Sequence, residues 1–131
     1  MNPVRNSRPL SRAAAAGAVA LVPWAVVLSS RLPATTVAHH WSIAWGGFDL
    51  MIAASLAALA WTARRGDPRL PLAATATATL AFVDAWFDVL TAAPGPGRTA
   101  AVLLAVCAEL PLALFCAWLA RRTAPRYSLA A

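Results

Sequence analysis

Four long apolar runs dominate the chain, at residues 13–30, 41–63, 70–93 and 99–120. Each is close to the ~20 residues with which an α-helix crosses the hydrocarbon core of a bilayer. The connections between them, RLPATTVAHH, RRGDPR and PGPGR, contain the proline and glycine that end helices. With so little connecting chain, consecutive helices become antiparallel neighbours. The pattern therefore predicts an all-α fold, a four-transmembrane-helix antiparallel bundle forming a single integral membrane domain over residues 1–131. The tract ATATATL, residues 74–80, alternates like a strand. An isolated strand leaves its backbone unpaired in lipid, so the tract is assigned to the third helix.

Composition supports the membrane assignment. Hydrophobic residues make up 60% of the chain and charged residues 12%, about half the soluble norm. A soluble domain of this size cannot hide so much apolar surface. The net charge of +6 comes from eleven arginines in short clusters at the ends of the apolar runs. That is a topology signal rather than a nucleic-acid-binding face. Arg5, Arg8, Arg12, Arg64, Arg65, Arg69, Arg121, Arg122 and Arg126 fall on one side, and only Arg31 and Arg98 on the other. The positive-inside rule places both termini in the cytoplasm of a multi-pass protein of the cell (plasma) membrane. Trp41, Trp61 and Trp118 fall at span ends, where indole rings favour the headgroup level. The N-terminal arginines, apolar run and T-V-A before His39 also resemble a signal peptide with its cleavage site, which leaves removal of the first span as an alternative. Cys107 and Cys116, nine residues apart in one run, point to opposite helix faces and are expected to be apolar filler.

The chemistry lies in the acidic residues. Of five, Asp67 sits in the cytoplasmic RRGDPR turn, where it is expected to be solvated, and Asp49, Asp84, Asp88 and Glu109 fall inside spans that contain no Lys or Arg. Counting 1.5 Å per residue from the outer ends puts Asp49 about 12 Å deep, Asp84 about 13 Å, Asp88 about 7 Å and Glu109 about 15 Å. The four acids come from three spans but occupy one layer. At 100° per residue, Thr77, Asp84, Asp88 and Thr91 fall within a sector of about 60° on the third span, a polar stripe expected to face other helices. Ala105, Ala113 and Cys116 flank Glu109, and Gly46 and Ala53 flank Asp49, as small-residue faces that admit a neighbouring helix. Pro111 removes the helix hydrogen bond to the Cys107 carbonyl.

Ionised aspartates cost about 2.5–3.5 kcal/mol each at mid-membrane, against about 0.3–0.6 kcal/mol returned per apolar residue. A four-carboxyl cluster without an intramembrane counter-ion therefore holds protons or takes a cation from outside. Asp49, Asp84, Asp88 and Glu109 are accordingly the candidate cation or proton site, with His39, His40 and Trp45 as outer-mouth contributors. Mg²⁺ or Ca²⁺ suits carboxylate oxygens. Zn²⁺ or Mn²⁺ suits a site that includes a histidine. Protons remain open, as does an organic ammonium against the Trp45 ring. Two alternatives stand beside binding or transport from the outer face. One is a membrane-embedded enzyme acting on a lipid or isoprenoid, using a protonated carboxyl as general acid. The other is a structural or accessory subunit whose protonated carboxyls only pack helices. Besides the lipid bilayer, expected partners are a cation or small cationic ligand and further membrane chains, as a homo-oligomer or larger complex, with no nucleic acid.

The segments W-x-x-x-W-x-G-x-D (Trp41 to Asp49), D-x-W-F-D (Asp84 to Asp88) and E-L-P (Glu109 to Pro111) resemble a group of small four-span membrane proteins of high-GC Gram-positive bacteria. The likeness covers the second to fourth spans. It implies the four-span fold and brings no activity with it.

Overall fold

A computed structural model describes residues 37–125 throughout, together with Thr35 and scattered positions between 15 and 30. The predicted first span at 13–30, the arginines at 5, 8, 12, 31 and 126, and both termini lie largely or wholly outside the described residues. Residues Met1–His39 and His40–Ala131 form two separate units, and the second holds the elements below.

Among the described residues the ordered structure is helical, with no strand: α1 (Trp41–Arg65), α2 (Leu70–Thr91), α3 (Pro96–Leu104), a π-helical turn (Ala105–Glu109) and α4 (Leu110–Thr123). α3, the π turn and α4 run on as one helix over Pro96–Thr123. Three helices, Trp41–Arg65, Leu70–Thr91 and Pro96–Thr123, are thus long and apolar enough to cross a membrane. The predicted bounds at 41–63, 70–93 and 99–120 are close to these. The difference at Pro96 has a local cause. The PGPGR connection contains a helix start as well as a helix stop, because a proline at the first helical position gives up an N–H that has no intrahelical partner. Gly95 precedes it at φ +94°, a conformation that L side chains rarely adopt.

α1 ends in a Schellman motif. The Gly66 N–H donates to the Ala63 carbonyl at 3.4 Å and the Asp67 N–H to the Thr62 carbonyl at 3.0 Å. Gly66 supplies the left-handed residue at φ +60° that this motif needs. Arg64 and Arg65 lie in the last turn, where their charge opposes the helix dipole. Asp67 is expected to be solvated, but it organises the turn. Its Oδ1 accepts from the Arg69 backbone N–H at 2.8 Å, and its Oδ2 accepts from Arg69 Nη2 at 2.9 Å. The side-chain hydrogen bonds, followed by the backbone one, hold the Asp67 carboxyl below the usual carboxylate range.

α2 is the central element: α1 packs on it, and so do α3, the π turn and α4. ATATATL is helical here because its threonines satisfy their hydroxyls locally. Thr75, Thr77 and Thr79 each donate to the carbonyl four residues back, at 2.8, 3.0 and 2.9 Å. Thr77 shares its one hydroxyl hydrogen between the Ala73 carbonyl and Ser55 Oγ on α1, 3.2 Å away, the hydroxyl pair that links α1 to α2 among the described residues. The buried core consists of small residues: Ala74, Ala81 and Ala85 on α2 against Ala101, Ala105, Ala113 and Cys116. Small side chains let helix backbones approach closely, which is how helices associate where lipid removes the hydrophobic drive. Cys116 is buried in this face and Cys107 is exposed, and neither forms a disulfide.

The expected role of Gly46 and Ala53 does not hold among the described residues. A Cβ added at Gly46 meets no atom within 4 Å, and both positions are exposed. The only buried residue of α1 is Thr62.

Candidate functional site

Asp84 and Asp88 are one helical turn apart on α2, on the polar stripe that begins at the buried Thr77. Asp49 lies on α1, and Glu109 is the last residue of the π turn. All four line a single open cleft of about 610 Å³, together with Trp41 and Trp45 of α1. Thr91 closes the end of the stripe, and Gly97, Ala100 and Ala101 of α3 keep the opposite side low. The small residues of α3 therefore have two uses. Ala101 packs in the core, and its neighbours leave volume in front of the carboxyls.

Pro111 shapes the Glu109 side of the cleft. It has no N–H to offer the Cys107 carbonyl, and its ring crowds the preceding turn. The chain accommodates it by widening. The Leu110 N–H reaches back five residues to the Ala105 carbonyl, which is the π turn. The widening also preserves the packing face. Eight residues of regular helix rotate about 800°, some 80° past two turns, and the π turn absorbs this excess, so that Ala105 and Ala113 are both buried. Sequence reasoning anticipates a freed carbonyl at Cys107 but not the π turn.

Glu109 has a further feature. Its Oε2 is sealed from solvent and has no hydrogen-bond partner among the described residues. None of the four carboxyls forms a hydrogen bond or ion pair with a described residue, and the ion pair formed in this part of the chain is that of Asp67 with Arg69. Among the described residues, no three His, Cys, Asp or Glu side chains are grouped closely enough to hold one metal ion.

The aromatic wall is ordered by ring contacts. Trp41 and Trp45 meet edge to face with centroids 5.5 Å apart, and Trp45 meets Phe48 in the same way at 6.3 Å. Sequence reasoning misses Trp41 as a site residue because a span-end position already explains an indole. Its one-turn spacing from Trp45 is the signal that could have found it. His39 and His40 do not line the cleft, and neither does Arg98. His40 sits at the start of α1 with φ 57°, exposed to solvent. Comparison with protein-family models, curated proteins and solved structures returns no match to this chain.

Proposed function

We propose that the chain is a multi-pass protein of the plasma membrane with antiparallel helices and both termini in the cytoplasm, and that the cleft binds a small organic cation from the outer face. The observation that carries this reading is the sharing of one cleft by four carboxyls and two indoles. Carboxylates neutralise a positive charge, and indole faces attract it through their quadrupole. A volume of about 610 Å³ is within the roughly 300–1,000 Å³ of small-molecule sites. Ca²⁺ needs six to eight oxygens at about 2.3–2.6 Å and Mg²⁺ an octahedral set at about 2.0–2.1 Å, and the described carboxyls do not converge to that extent. An organic ammonium can span carboxyls that stand apart. The packing alternative draws less support, since carboxyls that pack helices do so through hydrogen bonds, and the polar pair between α1 and α2 is Thr77 with Ser55 instead.

The test is thermal stability of the detergent-purified protein with methylammonium, tetramethylammonium, Mg²⁺, Mn²⁺ or Zn²⁺, for wild type and Asp84→Asn. An ammonium ion is expected to raise the melting temperature of wild type and to have no effect on the variant. If no cation stabilises wild type, and Asp84→Asn is as stable or more so, the carboxyls are protonated packing elements and the cation reading is dropped.

A further inference from the structure

A second groove, which shares no lining residue with the carboxyl cleft, runs between α2 and α4 with a volume of about 570 Å³. Ala78 and Phe82 of α2 and Ala113, Leu114 and Ala117 of α4 line its length, and Arg121 stands at its end. Thr75 and Thr79 also border it, but their hydroxyls are committed to α2 carbonyls, so the trough presents no free donor there. From Leu110 to Arg121 the α4 wall is about 16 Å long at 1.5 Å per residue. A trough of this kind on a membrane helix pair fills with acyl chain, because lipid leaves no void against protein. The open question is which headgroup that chain carries.

Charge answers it. Arg121 and Arg122 occupy the last turn of α4. Arg64 and Arg65 end α1, and Arg69 precedes α2 at the same end of α2 as Thr75. Asp67 is the one acidic residue among these five arginines in the described structure, and Arg69 occupies it. The other four arginines form no salt bridge among the described residues. Arg122 is held over the Trp118 ring at 5.5 Å and Arg65 over the Trp61 ring at 3.8 Å. An indole with a guanidinium above it suits the headgroup layer, where the ring sits among glycerol and carbonyl groups and the guanidinium meets phosphate. Guanidinium also binds phosphate with two parallel hydrogen bonds, which a strongly hydrated ammonium cannot do.

We infer that the α2–α4 groove seats an anionic phospholipid, with an acyl chain along Phe82, Leu114 and Ala117 and its headgroup on Arg121 and Arg122. This rests on the membrane-spanning reading above and is independent of the carboxyl cleft. The experiment is native mass spectrometry of the full chain released from mixed micelles holding phosphatidylglycerol and phosphatidylcholine with identical acyl chains. Wild type is expected to retain phosphatidylglycerol with a preference of roughly tenfold or more, the scale set by two arginines at an anionic surface. The double variant Arg121→Gln/Arg122→Gln is expected to bring the two lipids to parity. Ala117→Phe, which fills the trough and keeps the charge, is expected to reduce retention of both. Arg121→Lys/Arg122→Lys provides a second variant should the glutamine protein not fold, and it is expected to weaken the preference without abolishing it. Soluble glycerol phosphate is expected not to displace the lipid.

Four results overturn the proposal. One is equal retention of the two lipids by wild type, as expected if another segment of chain covers the groove. The second is a preference untouched by the arginine variants. The third is a preference lost with the arginines while Ala117→Phe retains lipid like wild type, which assigns the effect to surface charge alone. The fourth is displacement by glycerol phosphate. Asp84→Asn is expected to keep the lipid preference, so failure of the cation reading and failure of the lipid site are separable.

Discussion

Glu109 carries a sharp local imbalance, one carboxyl oxygen sealed away with no hydrogen-bond partner among the described residues. An unsatisfied buried polar atom costs about 1–3 kcal/mol, and more when charged. Glu109→Gln keeps the shape and removes the charge. The cation-free variant is therefore expected to melt a few degrees above wild type and to lose most of its response to an added ammonium ion; a lower cation-free melting temperature contradicts this account of Glu109. Asp67 presents the opposite case, a carboxyl held below its usual range by the side-chain hydrogen bonds of Arg69 and then by its backbone N–H. Such a group stabilises the fold above the ordinary carboxylate range, and the effect disappears as pH falls through the lowered folded value. The small difference in melting temperature between wild type and Asp67→Asn at neutral pH is expected to vanish on acidification, as followed by a pH series of melts. A difference that grows toward acid pH contradicts the assignment. At this scale the candidate carboxyls were legible because depth and facing follow from counting residues along a helix of fixed rise and rotation. Trp41 was not, since an end-of-span tryptophan already has a sufficient reason to be there. Gly46 meets no neighbour among the described residues, because a glycine in sequence states that a neighbour can approach and not that one does.

The helices themselves were largely written in the apolar runs and their Pro and Gly boundaries, and the three described spans start and end near the residues that pattern indicated. The internal structure of the last span was less accessible. Pro111 announces a lost hydrogen bond, but whether the helix kinks, breaks or widens depends on the face it must keep against α2, which is a tertiary matter. Pro111→Ala permits a regular helix. It is expected to turn Ala105 and Ala113 out of common register and to weaken the ammonium response by moving Glu109 within the cleft, as read by the thermal assay. An unchanged response removes the π turn from the account of the site. Among the described residues, one interhelical hydroxyl pair, Thr77 with Ser55, joins α1 to α2. Such bonds contribute about 0.6–2 kcal/mol, and Thr77→Val is expected to destabilise the protein within that range, measured by chemical denaturation in a fixed detergent. Ser55→Ala in the Thr77→Val background is then expected to cost little more, because the pair is already broken. A full second loss shows that the two hydroxyls act separately.

For the whole molecule, the arginine asymmetry and the acidic cleft make one claim about orientation: the cleft opens on the face away from Arg64, Arg65, Arg121 and Arg122. In intact cells, an impermeant maleimide is expected to label a cysteine placed at Ala93 in a Cys107→Ala/Cys116→Ala background. A cysteine at Gly66 in that background is expected to react only after permeabilisation. The reverse pattern inverts the molecule and moves the cleft to the cytoplasmic side. Asp49, Asp84, Asp88 and Glu109, contributed by three helices, line one cleft, and the proposed reading makes them one cation site. That reading is tested most directly by isothermal titration of the purified protein with the ammonium ion that stabilises it best, in wild type and in the single variants Asp49→Asn, Asp84→Asn, Asp88→Asn and Glu109→Gln. Saturable binding to wild type and weaker binding to each of the four variants are expected. Absence of saturable binding to wild type, or affinity unchanged in all four variants, contradicts the reading.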